Sequence, residues 1–331
     1  MLSRPQSEET EERGSGVLEK EVSFTSGGLT LRGTLALPKG IPPCASVLLL
    51  GGSGRVDRDE NTRFFPLRLM ADLARYLAKA GVASLRYDKR GVGASEGDYW
   101  TAGFYDLVVD ARAAVSFLAT HPEAGPSSVF VLGHSEGAYV AVRLGARVAG
   151  VAGVVLLAGG ARLVEEELRW QGRRVSETLT GLSAWLNRLP GAGLLERQDR
   201  QIQEVKRSTR DSFRRFLVSK VNAKWARELL AYDPAEDLQA LRVPVLALTG
   251  MKDIQVDVEN LDRMRKLVTA PLETHALPDV THLFREESGA PGLAGYRKQL
   301  KSPIAPEVPR IVVDWLKRHR VEPSIEMAVE C

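Results

Sequence analysis

Short runs of consecutive apolar residues recur along the chain and predict buried strands. The runs are Ser46–Leu50, Ala83–Tyr87, Ser128–Leu132, Val151–Ala158 and Val245–Thr249, with a weaker one at Thr274–Leu277. Runs that are apolar on both faces are typical of strands inside a parallel sheet. Before them, Leu18–Thr25 and Leu29–Leu37 alternate polar and apolar residues around Gly27-Gly28, which predicts an antiparallel hairpin.

Segments with helical spacing of apolar residues separate the strand candidates. They are Phe65–Ala80, Tyr105–Ala119, Glu136–Val148, Val256–Val268 and Pro306–Arg318. Alternation of strands and helices favours right-handed crossovers and a doubly wound sheet. The predicted fold class is therefore α/β, with a mostly parallel central sheet and helices on both faces.

One long segment interrupts this alternation and predicts a division of the chain. Residues 161–235 hold no strand candidate, are dense in charge and contain Trp170, Trp185 and Trp225. We expect a helical cap, or lid, in this segment and an α/β core formed by residues 18–160 and 236–320. The charged residues 1–17 and the terminal residues 321–331 are expected to be tails, the first of them disordered.

Composition and charge limit the kinds of partner and cofactor that the chain is expected to bind. The chain has 331 residues, of which 44% are hydrophobic and 26% charged, an ordinary globular balance. A net charge of +3 gives no strong field for a polyanion, so a nucleic-acid partner is not expected. Two cysteines, Cys44 and Cys331, allow no disulfide framework and no zinc spacing, and no metal or cofactor is expected.

Hydropathy predicts the location. The longest apolar run, Val151–Ala158, is too short to cross a bilayer, and the polar start of the chain lacks the pattern of a signal peptide. We therefore expect a cytoplasmic protein with no membrane contact. The expected partner is a small-molecule substrate, and the sequence is compatible with a homo-oligomer.

The pattern Gly-x-Ser-x-Gly occurs twice, at Gly93–Gly97 and at Gly133–Gly137. A nucleophile elbow needs a buried strand leading directly into it and a helix leaving at once. Ser135 has both, whereas Ser95 is followed by a loop. Ser135 is therefore the predicted nucleophile, with Ser95 or a purely structural turn as the alternatives.

Two main-chain N–H groups are predicted to form an oxyanion hole. The N–H of Glu136 lies at the start of the helix that leaves Ser135, where it favours developing negative charge. The second donor is expected in the glycine-rich loop Gly51–Gly54 after an earlier strand, and we assign it to Ser53. A simple glycine turn is the alternative interpretation of this loop.

The general base and its carboxylate are predicted from their positions after strands. Of the five histidines, His282 lies just beyond the last strand, at the edge where open α/β sheets place their sites, and His275 within that strand is the alternative. Asp253 follows the run Val245–Thr249 at the same edge. Asp257 lies four residues later, where a helix-capping role is the simpler interpretation.

The order Ser135, Asp253, His282 is that of the α/β-hydrolases. From residue 18 to 320 the chain resembles bacterial single-chain α/β-hydrolases of the serine-aminopeptidase-like and dienelactone-hydrolase-like groups, several of which are carboxylesterases. The resemblance is carried by Gly52-Ser53-Gly54 with Asp57-Arg58-Asp59-Glu60-Asn61, by Arg86–Ser95 and by Gly133–Gly137. It implies an α/β-hydrolase fold and a structural role for the loop around Ser95. Gly51 stands where the family usually has histidine.

These observations predict a serine esterase that cleaves carboxylic esters through an acyl-enzyme. An enclosing lid favours short to medium acyl chains, and Trp185 is the predicted acyl-pocket residue. It shares a helix face with Leu182, Leu186 and Leu189, although packing of the lid explains that face equally well. Thioesterase or aminopeptidase-like acyl transfer is the nearest alternative. A catalytically silent binding module on the same fold is the alternative of another class.

Overall fold

A nine-stranded, mostly parallel sheet organises the chain. We analyse it in a computed structural model that describes residues 9–10, 16–124, 129–189, 193–215 and 219–320. The strands are β1 (Glu9–Thr10), β2 (Val17–Ser26), β3 (Leu29–Pro38), β4 (Ser46–Leu50), β5 (Asn61–Thr62), β6 (Phe65–Pro66), β7 (Ala83–Tyr87), β8 (Val129–His134), β9 (Val151–Leu157), β10 (Ser212–Arg215), β11 (Ser219–Asn222), β12 (Val245–Gly250) and β13 (Leu272–Leu277).

The strand order of the main sheet is β1-β2-β3-β7-β4-β8-β9-β12-β13. The six strands from β7 to β13 in this order pair in parallel, and the hairpin of β2 and β3 joins β7 in antiparallel fashion. The apolar runs of the sequence are therefore the parallel strands, and the predicted fold class is confirmed. The loops after β4, β8, β12 and β13 all emerge at one edge of the sheet, because parallel strands share the direction of their carboxyl ends.

Helices cover both faces of the sheet. They are α1 (Leu69–Lys79), α2 (Phe104–Thr120), α3 (Glu136–Arg147), α4 (Val164–Glu177), α5 (Gly181–Asn187), α6 (Leu194–Arg207), α7 (Ala223–Leu230), α8 (Ala235–Ala240), α9 (Asn260–Leu267), α10 (Tyr296–Gln299) and α11 (Glu307–His319). Two of these helices, α1 and α9, begin four residues later than predicted. Pro66 lies in the small β5–β6 pair ahead of α1, and the Asp253 and Asp257 carboxylates accept N–H groups of the turns that precede α9.

Alternate residues of each buried strand feed two separate apolar cores. In β4, Leu48 and Leu50 pack in one core with residues of α2 and α3, whereas Val47 and Leu49 pack in the other with residues of α1 and α11. This alternation follows from the two-residue period of a strand. The double burial explains why the strands are apolar along their whole length, and it fixes the loops at the carboxyl edge on a rigid base.

The chain between β9 and β12 adds a third, smaller core. We refer to residues 161–235 as the inserted segment. Its core consists of Ile202, Val205 and Leu230, with Leu168, Phe213, Val221 and Ala226 packed against them. The expectation that this segment lacks strands is wrong, because β10 and β11 pair there in antiparallel fashion. Their apolar side chains, Phe213 and Val221, are register partners on the face that packs against this core.

The predicted tails fall mostly beyond the described residues. Residues 1–8, 11–15 and 321–331 lie outside them, but Glu9–Thr10 pairs with β2, so part of the N-terminal tail forms a strand. Across the described ranges, no helix combines the length and the apolar composition needed to cross a membrane.

Candidate active site

Ser135 occupies a strained turn between β8 and α3. Its backbone has φ 54° and ψ −115°, a conformation that a residue with a Cβ adopts only when the surrounding structure enforces it. The neighbouring glycines allow this turn, since a Cβ on Gly133 would lie 2.0 Å from the Gly137 oxygen, and one on Gly137 would lie 2.2 Å from the Leu50 oxygen. The strand–serine–helix arrangement expected of a nucleophile is present here.

Ser95, the alternative serine, has a structural role. Its hydroxyl is buried, donates to the main-chain oxygen of Asp88 at 2.7 Å and accepts the N–H of Arg32 at 2.9 Å. Both bonds tie its loop to the sheet. The hydroxyl therefore has no free position from which to attack a substrate.

Asp253 and His282 form a buried pair at the carboxyl edge. His282 Nδ1 lies 2.8 Å from Asp253 Oδ2, and both residues are nearly inaccessible. The other oxygen of Asp253 accepts the N–H groups of Gln255 at 2.7 Å and Val256 at 2.9 Å, which fixes the carboxylate. Because an ionised carboxylate only accepts hydrogen bonds, Nδ1 carries the proton. The Nε2 atom is then left with a lone pair, the state a general base requires.

A second buried pair holds this loop against the nucleophile turn. His134, which precedes Ser135, donates from Nε2 to the main-chain oxygen of His282 at 3.0 Å, and the two imidazole rings lie 4.8 Å apart. Nδ1 of His134 lies 2.6 Å from Oε1 of Glu60. Burial lowers the pKa of His134, but the Glu60 carboxylate outweighs this effect and raises that pKa above its ordinary value. Both ring nitrogens of His134 have partners, so this residue braces the His282 loop against the nucleophile turn and is not placed to act as the base.

The other candidate residues lie elsewhere. His275 sits part-buried in β13, with Nε2 2.8 Å from the Glu273 carboxylate. Asp257 accepts the N–H of Glu259 at 3.1 Å and pairs with Arg162 at 2.7 Å, so it caps a turn and anchors the inserted segment. Each therefore has a structural partner.

The glycine-rich loop after β4 reaches the nucleophile turn. Gly52 lies so close that a Cβ on it would be 3.5 Å from the Cβ of Ser135, and its N–H donates to Glu60 Oε1 at 2.5 Å. Glu136 is the first residue of α3, where the N–H groups have no intrahelical acceptor. Ser53 and Glu136 both line the cavity into which Ser135 opens. The loop and the helix start thus converge on the nucleophile.

That cavity has a volume of about 480 Å³ and lies between the core and the inserted segment. Core residues Ser53, Ser135, Glu136 and Tyr139 line one side, and Leu168, Ile202, Phe213 and Trp225 of the inserted segment line the other. Glu167 also faces it, and burial raises the pKa of its carboxyl despite hydrogen bonds from the Asp257 N–H and the Asn260 amide. The volume is that of a small-molecule site.

Trp185 does not lie where the sequence predicts it, in the wall of the acyl pocket. It is 57% exposed on α5, and it is not among the described residues that line the cavity. Leu189, expected on the same helix face, lies beyond the end of α5 and is 36% exposed, and the side chains of Leu182 and Leu186 lie outside the described residues. Trp225 of α7 takes the place expected of Trp185. The helical spacing identified an apolar face, but it carried no information about which face turns to the core.

The sequence analysis did not assign Glu60 and Lys89 to this site, and among the tryptophans of the inserted segment it selected Trp185 rather than Trp225 for the acyl pocket. Glu60 and Lys89 belong to polar runs that directly follow the parallel strands β4 and β7, so their position at the carboxyl edge was a usable signal. Glu60 adopts φ 67°, which the sequence does not reveal. Trp225 gave no signal beyond its aromatic character.

Comparison with known proteins gives matches over most of the chain. The family model for serine aminopeptidase, S33, matches residues 67–288. Esterase EstD of Thermotoga maritima is 28% identical over 284 residues, which are 85% of this chain and 64% of EstD. The chain thus spans a little less than two thirds of the length of that relative.

Solved structures resemble the fold over nearly its full extent. Est1E from Butyrivibrio proteoclasticus, solved with ferulic acid bound, aligns with a TM-score of 0.61 at 17% identity, over 90% of this chain and 98% of that chain. The α/β hydrolase GrgF from Penicillium sp. sh18 aligns with a TM-score of 0.61 at 18% identity, over 91% and 99%. The α/β-hydrolase fold predicted from the sequence is confirmed.

Proposed function

We propose that this chain, which belongs to the serine aminopeptidase, S33, family, hydrolyses carboxylic esters of short to medium acyl chain. The observation that carries the proposal is the strained Ser135 turn. It opens into a cavity that lies between the core and the inserted segment, and a buried His282–Asp253 pair lies at the same edge of the sheet. The similarity to EstD, which is named an esterase, favours esters among the acyl-transfer substrates.

Acylation is the first half of the proposed reaction. Ser135 Oγ bonds to the carbonyl carbon of the ester while His282 Nε2 takes its proton, and the carbonyl electron pair moves onto oxygen. The N–H groups of Ser53 and Glu136 stabilise this oxyanion. The oxyanion then collapses, the bond to the alcohol oxygen breaks, and His282 returns the proton to the leaving alkoxide.

Deacylation repeats these steps with water. His282 takes a proton from the water as its oxygen bonds to the acyl carbon, and it then protonates Ser135 Oγ as the acid leaves. Asp253 holds His282 in the tautomer that both halves need and stabilises the imidazolium between them.

The inserted segment serves as a cap over the acyl site in this proposal. It supplies the apolar wall of the 480 Å³ cavity through Leu168, Ile202 and Phe213. A wall of this kind holds the acyl chain away from water and limits its length. We therefore propose small esters as the substrates, in preference to emulsified triglycerides or folded proteins.

Active-site labelling tests the nucleophile with a matched control. Ser135→Ala should abolish both turnover of a p-nitrophenyl ester, by about 10⁶-fold, and labelling by a fluorophosphonate probe. Ser95→Ala removes a serine from the same Gly-x-Ser-x-Gly pattern and should retain both. Peptide mass spectrometry that maps the adduct to Ser95 would overturn the assignment. A wild-type protein that is neither labelled nor active would instead indicate a binding module.

A substrate panel distinguishes the acyl-transfer alternatives. Acetyl, butyryl and octanoyl groups are presented both as p-nitrophenyl esters and as thioesters, a set of aminoacyl amides is assayed beside them, and kcat/KM is measured for each. The proposal expects esters to have the highest values. A preference for aminoacyl amides would assign the chain to peptidase chemistry on the same residues.

A further inference from the structure

A hydrogen-bonded chain of three side chains connects the inserted segment to the glycine-rich loop. Lys89, two residues beyond β7, donates from Nζ to the Gly52 oxygen at 2.5 Å and to Glu136 Oε1 at 2.8 Å. Trp225 of α7 donates from Nε1 to the other carboxylate oxygen, Oε2 of Glu136, at 2.8 Å. This series of hydrogen bonds therefore runs from the inserted segment to the peptide that ends in the Ser53 N–H.

The bond from Lys89 fixes the direction of a main-chain donor. The Gly52–Ser53 peptide is planar and trans, so the Gly52 oxygen and the Ser53 N–H point in opposite directions. An ammonium that holds the oxygen thus prevents rotation of the peptide and keeps the N–H pointing away from Lys89. Charge-assisted bonds of this kind are stronger than those between neutral groups.

Glu136 contributes to the same site twice. Its main-chain N–H is the other proposed oxyanion donor, and its side chain, only 2% exposed, holds the ammonium that holds Gly52. One residue thereby ties both donors into a single arrangement. Glu136 and Trp225 line the cavity, but Lys89 is not among its described lining residues. Lys89 therefore acts through the peptide rather than on the substrate.

We propose that Lys89 and Glu136 are positioning residues that set the oxyanion hole, and that Trp225 makes this setting depend on the seating of the inserted segment. Movement of α7 away from the core would remove the Trp225 N–H from Glu136 Oε2 and leave that oxygen to the water that enters the cavity. The carboxylate would then turn and loosen its hold on Lys89. The oxyanion hole is then complete only when the inserted segment is packed against the core, so turnover requires closure of that segment over the substrate. The proposal rests on the proposed esterase function.

Three variants and one matched control test it. Lys89→Met removes the donor and keeps the length of the side chain, and Trp225→Phe removes the N–H and keeps an aromatic ring. Lys89→Arg keeps the charge beside Glu136 but moves the donor, and it serves if the methionine variant fails to fold. Lys224→Met is the control. Lys224 also joins α7 to the core, through Asp106 at 2.8 Å, but it is not part of the series of hydrogen bonds that leads to Gly52.

The readouts separate the setting of the oxyanion hole from general stability. We measure kcat and KM on p-nitrophenyl butyrate, and Ki for a trifluoromethyl ketone, whose serine adduct carries an oxyanion. Lys89→Met should lower kcat by about 10²-fold, as loss of an oxyanion donor does, with KM changed less than threefold. It should weaken the ketone by a similar factor. Trp225→Phe and Lys89→Arg should each lower kcat by about tenfold, and Lys224→Met by less than twofold.

Two results would overturn the inference. One is a folded Lys89→Met or Lys89→Arg variant with wild-type kcat and wild-type ketone affinity. The other is an equal loss of kcat in Lys224→Met and Trp225→Phe. That result would mean that kcat depends only on how firmly α7 packs on the core, and not on the bond from Trp225 to Glu136. Both are read against an active wild type. A wild type without ester turnover or fluorophosphonate labelling refutes the proposed function instead, so the two failures are distinguishable.

Discussion

Replacement of Glu60 by Gln tests the buried pair beneath the nucleophile turn. Oε1 of Glu60 accepts the Gly52 N–H at 2.5 Å and lies 2.6 Å from Nδ1 of His134, whose Nε2 donates to the His282 oxygen at 3.0 Å. Since a carbonyl only accepts, Nε2 carries a proton, and an ionised Glu60 requires a second proton on Nδ1. The Glu60 carboxylate raises the pKa of His134, which favours the imidazolium with Glu60 as its counter-charge.

A glutamine has the same shape but cannot replace this partner. Its oxygen must face the Gly52 N–H, so the same oxygen faces Nδ1 of His134. Either His134 stays cationic without a counter-charge, or it becomes neutral and turns a lone pair toward an oxygen that also only accepts, that of the amide or that of His282. A buried group left without its partner costs about 1–3 kcal/mol, and removal of one member of a buried ion pair costs about 3–5 kcal/mol. We expect Glu60→Gln to lower the free energy of unfolding by about 3 kcal/mol.

The loss should depend on pH in a defined direction. The pair raises the pKa of His134 in the folded protein above its ordinary value of 6.5, despite the opposing effect of burial. The stabilisation is therefore fully present below about pH 6.5 and is lost as the pH rises through the folded pKa. The difference between wild type and variant should be largest near pH 6 and should shrink as the pH increases above it.

Urea unfolding at half-unit steps from pH 5.5 to 9 measures this difference. At its largest it corresponds to a decrease in Tm of about 4 °C for a chain of this size. His275→Gln is the control, because His275 and Glu273 form a part-exposed surface pair worth at most about 1 kcal/mol. A Glu60→Gln effect that is independent of pH, or no larger than that of the control, would refute the assignment of a charged His134.

Four further outcomes are expected. Asp253→Asn should lower kcat by about 10⁴-fold while circular dichroism shows a folded protein, because the amide favours the wrong His282 tautomer. Asn222→Ala should loosen the inserted segment by about 2 kcal/mol, seen as faster hydrogen exchange in α7, since Asn222 caps that helix and also donates to the Tyr99 and Ala102 oxygens at 2.5 and 2.7 Å. Trp185→Ala should leave the profile of kcat/KM against acyl length unchanged, because Trp185 is exposed; a shifted profile would return it to the acyl site. Gly133→Ala should prevent recovery of folded protein on expression, because its Cβ would meet the Gly137 oxygen at 2.0 Å.

The sequence predicts the sheet well because burial on both faces leaves a direct trace. The interior strands β4, β8, β9 and β12 appear as apolar runs, whereas the edge strand β13 is only partly apolar. The order of Ser135, Asp253 and His282 follows from the loops that come after β8, β12 and β13. The structure brings the last two together at 2.8 Å. Their catalytic roles and the cytoplasmic location stay predictions.

The inserted segment was harder to predict, for a physical reason. Its core is small, so its apolar residues are few and its exposed faces resemble its buried ones. Trp185 and Trp225 share the same chemistry, yet one is exposed and the other lines the cavity. The strands β10 and β11 are only four residues long and hold one apolar residue each, Phe213 and Val221, so no alternation is visible in the sequence. The Glu60–His134 pair depends on a positive φ at Glu60, which tertiary contacts enforce and local propensity opposes.

The point at which the inserted segment leaves the sheet has a consequence for how substrate range can diverge. The segment between Leu157 and Val245 joins two strands that pair with each other in the sheet, so from the standpoint of chain entropy it is a single closed loop. The entropy of closing such a loop grows only logarithmically with its length, and halving it changes the free energy by about 0.6 kcal/mol. Descendants of this chain can therefore lengthen, shorten or exchange the segment at little cost to the sheet. What an exchanged segment must still bring is a donor for the buried Glu136 carboxylate, the place that Trp225 now fills.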